Sequence, residues 1–392
     1  MTIDNDKLRA ASEQDSPPYT GLVTKRVFEM PEPYVTAAGG IIKQLRVGYE
    51  CIGRLNAEGT NAILVPHPFY ANSHFAGRYD LAEELPGYWD AIVGPGKPLD
   101  TDKYFLISVD TLTNVFANGP TTITTGPSSI DPDTGRPYGM TFPVVQYRDF
   151  VNVQKAVLDH LGVKRLHAVV GASMGAGQAL EWGVAFPDMV ERIVAVIPAA
   201  GIDAHTLGRF RNWREMIMLD PRWNGGDYYD GEPPVKGLTI ALKQLTLDAL
   251  HPAWADKSFG RKWRDPDKDP LDSFDHDYAI YKWIDDYATT RVNEIDANNF
   301  IYLVRTIELF VLGEQKTVEE GMRMVKAPVL LLPSKEDCLL PVALGRQARD
   351  YLTAQGNRVE YMELQGPFGH LNGVMAITQA NDLLTRFLTD PA

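Results

Sequence analysis

The pentapeptide Gly171-Ala172-Ser173-Met174-Gly175 constrains this chain more than any other stretch. Residues 166–170 before it read as an apolar strand, and residues 178–185 after it as a helix. A serine between such elements sits on a sharp strand–turn–helix junction. Small residues at 171 and 175 let the strand and the helix approach closely. The hydroxyl then stands above a sheet edge, with helix N–H groups beneath any negative charge that develops there.

The rest of the chain supplies a frame for that turn. AILV (62–65), KYFLISVD (103–110), LHAVVGA (166–172) and AVIPAA (195–200) read as core strands. A long Gly, Pro, Ser and Thr-rich loop spans 113–143, and a helical pattern covers 147–163, ending near Gly162. Strands separated by helices imply parallel βαβ units. Beyond about 203 the pattern turns helical and aromatic, before APVLLLPS (327–334) and RVEYMEL (358–364) resume the strands. The predicted organisation is a flexible arm at 1–27, a first core segment at 28–202, an inserted helical lid at 203–322 and a second core segment at 323–392. The fold class is α/β, a mostly parallel sheet interrupted by that lid.

A serine hydroxyl needs a base and an acid to become a nucleophile. In this frame the order is serine, acid, histidine. The strand at 327–334 runs into Glu336 and Asp337, and the strand at 358–364 into His370. Both turns lie at C-terminal strand ends, where open α/β sheets bind ligands. Either carboxylate can orient His370 at this level of argument. An oxyanion needs two N–H donors. Met174 follows the nucleophile, and the His67-Pro68-Phe69-Tyr70 turn follows an earlier strand. Proline has no N–H, which leaves Phe69 as the second donor.

Composition narrows the partners. Asp plus Glu outnumber Lys plus Arg, 51 to 38, for a net charge of −13. Such a surface repels phosphate backbones and anionic lipid, so neither nucleic acid nor membrane is expected. No run reaches the roughly 20 apolar residues of a membrane span, and the polar opening is unlike a secretory signal. A cytoplasmic location is expected. Two cysteines, Cys51 and Cys338, make no disulfide framework. The other histidines, His67, His74, His160, His167, His205, His251 and His276, are read as structural, and no metal is expected. The glycine-bearing loop at 118–129 lacks a lysine and is followed by Pro132, against a phosphate cradle.

Taken together, several motifs identify a resemblance over about 40–385. They are HPFYANSH (67–74), TGPSSIDPDTGRPYG (125–139), GASMGAGQALEW (171–182), RWNGGDYY (222–229), Asp296-Ala297-Asn298, EDCLLP (336–341) and GPFGH (366–370). They resemble the homoserine O-acetyltransferase family of α/β-hydrolases. The resemblance implies a Ser173–His370–Asp337 triad, with Phe69 and Met174 as oxyanion donors. It further implies a lid over a deep tunnel, a covalent acyl-serine, no cofactor beyond acetyl-CoA as co-substrate if the chain is an acyltransferase, and a homodimer formed through lid helices.

Departures from that family bear on the acceptor. Phe69-Tyr70-Ala71 stands where the family reads Leu-Thr-Gly, which puts Tyr70 at the substrate. Leu371 replaces the aspartate that follows the family's histidine and holds a substrate ammonium. Leu242 stands where a lid arginine takes the substrate carboxylate. A zwitterion left with unpaired charges costs several kcal/mol. Two leucines therefore favour small-molecule esters with an apolar alcohol part over homoserine. Arg291 remains as a candidate carboxylate contact, against its reading as a lid or dimer salt-bridge residue. The expected function is a carboxylesterase on short acyl esters. The alternatives are acetyl-CoA-dependent transfer to another alcohol, homoserine acetylation, and a catalytically silent receptor.

Overall fold

The computed structural model describes residues 19–391. Ten strands run β1 (Arg26–Glu29), β2 (Tyr34–Val35), β3 (Ile41–Ile42), β4 (Arg46–Ile52), β5 (Ala62–Leu64), β6 (Phe105–Val109), β7 (Leu166–Ala172), β8 (Ile193–Val196), β9 (Val329–Leu332) and β10 (Val359–Tyr361). Eight of them form one sheet in the order β1-β4-β6-β5-β7-β8-β9-β10, while β2 and β3 pair as a small separate ribbon. From β6 to β10 every pairing is parallel; β1 and β4 are antiparallel additions at one edge. This is the mostly parallel α/β sheet that the sequence leads to.

The parallel strands are covered on both faces, as such sheets require. Successive side chains alternate between the two layers. Val329 and Leu331 join one buried cluster, which also holds Val169, Ile193 and Ala195. Leu330 and Leu332 join the other, with Val170, Val194 and Val196.

Helices α1 (Tyr147–His160) and α2 (Met174–Ala185) pack as crossovers. A reciprocal capping box between Gln146 and Asp149 starts α1. Between β8 and β9 lie α3 (Ala204–Met218), α4 (Val235–Ala249), α5 (Pro252–Ser258), α6 (Ala279–Thr289) and α7 (Ala297–Glu308). Helix α7 is mostly buried and is held to the 138–145 loop, since the Tyr302 hydroxyl donates to the carbonyls of Met140 and Phe142 at 2.9 and 2.7 Å. It packs against α3, which in turn packs on α4. After β9 come α8 (Val342–Ala354) and α9 (Asn381–Thr389).

Three sequence expectations shift. The fourth expected strand, 195–200, runs instead from Ile193 to Val196 and ends before Pro198. Of the expected arm at 1–27, residues 1–18 lie outside the described residues. The remainder is tied down: Val23 N–H donates to the Arg78 carbonyl at 2.9 Å, and β1 begins at Arg26. Strand β4 was not expected at all, because Gly48 and a buried Glu50 break its apolar run. Among the described residues no helix is long and apolar enough to cross a membrane.

Candidate active site

Ser173 has φ 55° and ψ −119°, a left-handed conformation that a non-glycine residue adopts only under constraint. The constraint is visible on both sides. Ser173 N–H donates to the Val196 carbonyl at 2.9 Å, and the Ser173 carbonyl accepts the Ala176 N–H at 2.9 Å. A Cβ on Gly171 would lie 2.1 Å from the Gly175 carbonyl oxygen, and one on Gly175 would lie 2.1 Å from that of Pro66. Glycine at both positions is thus a steric requirement of the turn. The second contact also shows that the Pro66–His67 segment, leading into Phe69, packs directly on the start of α2.

His370 reaches the serine from the loop after β10. Its Nε2 is 2.8 Å from Ser173 Oγ, and its Nδ1 is 2.7 Å from Asp337 Oδ2. The other carboxylate oxygen, Oδ1, accepts the N–H groups of Leu339 and Leu340, both at 2.8 Å. These bonds fix the carboxylate plane and satisfy a nearly buried anion. Glu336, the rival acid, points elsewhere and accepts the Gly366 N–H at 3.2 Å. The histidine loop has its own supports. Ser334 Oγ donates to the Gly369 carbonyl at 2.8 Å, and Asn372 Nδ2 donates to Ser334 Oγ at 3.0 Å. Gly369 has φ +62°, and a Cβ there would meet His251 N at 2.8 Å at the end of α4.

The inserted helices grip the acid turn as well. The Arg209 guanidinium, on α3, donates to the Cys338 carbonyl and to Asp248 Oδ1, the latter at 2.7 Å. Trp213 Nε1 donates to Asp248 Oδ2 at 2.8 Å, and Thr206 Oγ1 donates to the Leu339 carbonyl at 3.2 Å. Sequence reasoning singled out none of Thr206, Arg209, Trp213 and Asp248. Their spacing carries no signal, because each acts through a contact distant in the chain.

Met174 opens α2, so its N–H has no carbonyl one turn back. Phe69 is buried, its ring 5.3 Å from Phe300 of α7 and 6.2 Å from Trp213 of α3. Tyr70 packs on Phe116 at 4.9 Å, and its hydroxyl is buried with no hydrogen-bond partner among the described residues. Burial pushes its ionisation well above the ordinary phenol range. Leu371 directly follows His370 and is half-buried, and Leu242 is buried within α4. Arg291 stacks on the Tyr287 ring, 4.2 Å from its centroid, and its charge acts on the Tyr70 hydroxyl.

The remaining family motifs form a staple. Asp296 accepts the Tyr228 hydroxyl at 2.8 Å and the Asn299 N–H at 2.8 Å, and Trp223 Nε1 donates to Asn298 Oδ1 at 2.9 Å. Burial raises the Asp296 carboxyl above its usual range. Among the described residues no group of three or more His, Cys, Asp or Glu side chains is arranged to hold a metal ion.

Comparisons with known proteins bear on the fold and the family. A family model for the alpha/beta hydrolase fold matches residues 83–346. A homoserine O-acetyltransferase of Methanococcoides burtonii is 36% identical over 369 residues, which cover 94% of this chain and 74% of that one. Esterase E22 superposes with a TM-score of 0.89 at 44% identity, covering 94% of this chain and 100% of its own. A homoserine O-acetyltransferase from Bacillus anthracis superposes with a TM-score of 0.89 at 35% identity, over 94% of this chain and 98% of that one.

Proposed function

Because the chain belongs to the homoserine O-acetyltransferase family of α/β hydrolases, an enzyme family of acyl transfer and ester hydrolysis, we propose that it is a carboxylesterase acting on short acyl esters of apolar alcohols. The observation that carries this reading is the unbroken hydrogen-bonded path from Asp337 through His370 to Ser173, at 2.7 and 2.8 Å.

Each step follows from that path. Ser173 Oγ attacks the ester carbonyl while its proton passes to His370 Nε2. Asp337 holds the ring by Nδ1–H and stabilises the imidazolium. The carbonyl oxygen, now an oxyanion, accepts the Phe69 and Met174 N–H groups. Collapse breaks the bond to the alcohol oxygen, which takes the proton from His370. Water then attacks the acyl-serine, His370 again acting as base, and the acid leaves with Ser173 restored.

Water or an apolar alcohol is favoured as acceptor by the leucines at 371 and 242. Homoserine carries both charges, and neither position offers it a counter-charge. Tyr70 and Arg291 remain as candidate polar contacts to the substrate. The inserted helices serve as a lid, and the exposed Ile240 and Leu247, one stripe along α4, support pairing of two copies through it. The similarity to esterase E22 supports hydrolysis, while the curated relatives, named homoserine O-acetyltransferases, support acetyl transfer to an alcohol as the second reading, which the two leucines direct away from homoserine.

Intact-mass spectrometry after mixing with p-nitrophenyl acetate or with acetyl-CoA, side by side, separates the two. An acetyl adduct from the ester alone supports the esterase. Thiol release from acetyl-CoA that rises with added alcohol replaces it with the transferase. Turnover of p-nitrophenyl acetate that survives Ser173→Ala at the wild-type rate refutes both.

A further inference from the structure

His67 is fully buried and lies immediately before the Pro68–Phe69 peptide. Its Nε2 accepts the Thr111 backbone N–H at 3.1 Å and is 3.3 Å from Asn114 Nδ2. A backbone N–H is only a donor, so Nε2 carries the lone pair and the proton sits on Nδ1. Nδ1 is 2.8 Å from the Pro68 carbonyl oxygen, and therefore donates to it. No described peptide bond is cis, so the Pro68 carbonyl and the Phe69 N–H point in opposite directions across one plane. Holding the carbonyl against the imidazole turns the Phe69 N–H away from it. Proline at 68 offers no competing donor.

The same loop is anchored elsewhere on residues after β6. Asn114 Nδ2 donates to the Ala71 carbonyl at 3.0 Å, and Asp110 Oδ1 accepts the Ser73 N–H at 2.7 Å. Those bonds hold the far end of the loop. Among the described residues, only the His67 bond acts on the peptide that bears the proposed oxyanion donor.

We propose that His67 is a positioning residue of the oxyanion hole, fixing the Pro68–Phe69 peptide plane through its Nδ1–H so that the Phe69 N–H is preset for the developing oxyanion. A preset donor needs no reorganisation as charge develops, and that is where such sites gain their effect. Donation to the carbonyl also polarises the peptide and strengthens its N–H as a donor. Burial lowers the imidazole's pKa, with the bond to the Pro68 carbonyl and Asp110 acting against that tendency and Lys25 with it. The proposal rests on the acyl-serine reading above.

Asparagine and glutamine split the two functions of the ring. An Asn amide can place its N–H near the Nδ1 position, and a Gln amide its oxygen near the Nε2 position. H67N keeps the donor to Pro68, whereas H67Q keeps only the acceptor for Thr111. H67N is expected to hold kcat within about tenfold of wild type, and H67Q to lose about 100-fold with KM nearly unchanged. In H67Q the infrared carbonyl band of the acyl-enzyme is expected to move to higher frequency, as hydrogen bonding to it weakens, and in H67N to stay. Equal kcat losses in the two variants, or an unmoved band in H67Q, overturn the proposal.

A measurement on the wild-type protein covers the case in which H67Q does not fold. NMR of histidine-labelled enzyme is expected to show the Nδ1–H tautomer at His67, and an Nε2–H tautomer refutes the proposal. Fluorophosphonate labelling of wild-type Ser173 runs alongside. No label sinks the acyl-serine reading itself, while a labelled serine with indistinguishable variants sinks only the role of His67.

Discussion

Tyr70 and Leu371 set the residue-scale expectations. A buried hydroxyl without a partner costs about 1–3 kcal/mol. Tyr70 carries that cost beside the proposed oxyanion donor. Tyr70→Phe is therefore expected to melt no lower than wild type. If substrate satisfies the hydroxyl, KM for p-nitrophenyl esters rises several-fold with kcat little changed. An unchanged KM in steady-state assays removes Tyr70 from the substrate site. Leu371 bears on the acceptor: with acetyl-CoA, the wild-type protein is expected to give no O-acetylhomoserine detectable by mass spectrometry. Ser173 and His370 were legible in the sequence because each follows a recognisable strand. The choice of Asp337 over Glu336 leaned on family resemblance, and the geometry supplies its physical reason, the two N–H groups aimed at Oδ1. The contact of His67 with the Thr111 N–H was not legible, because the two residues are distant in the sequence.

At the scale of elements, the junction of β7 with α2 is the most demanding. Gly175→Ala places a methyl against the Pro66 carbonyl and pushes the Phe69 loop off the turn. Overpacking of this kind costs about 1–3 kcal/mol. A lower urea midpoint is expected together with a loss of esterase rate larger than the lost stability explains. A variant with full activity refutes the close-packing account. The parallel strands were readable because burial on both faces makes them continuous apolar runs. Strand β4 was not, since its identity depends on tertiary partners. Burial alone raises the Glu50 carboxyl, but hydrogen bonds from His74 and Tyr79 and the Lys25 ammonium outweigh that and hold it below its usual range. Gly48 is equally opaque in the sequence: a Cβ there would lie 2.3 Å from Asp110 Oδ2.

For the whole molecule, pH and assembly give two further tests. Burial lowers the His67 pKa from the ordinary 6.5, so near and below that value the unfolded chain binds more protons than the folded one. The stability from this group is present in full above about pH 6.5 and is lost as pH falls through the lowered pKa. Urea midpoints between pH 8 and 5 are expected to fall less in H67N than in wild type. Pairing through the lid predicts a sedimenting mass twice the 43.6 kDa chain. Ile240→Glu combined with Leu247→Glu is expected to halve it, and a monomeric wild type refutes the pairing. The insertion also has a bearing on traffic. Arg209 and Thr206 reach from α3 to the carbonyls that flank the acid turn. Under the proposed lid reading, a roof latched in this way to the acid turn cannot swing off as a loose flap without disturbing the carboxylate that holds His370. Any form of the protein in which that latch has opened is then expected to stand idle until it shuts again.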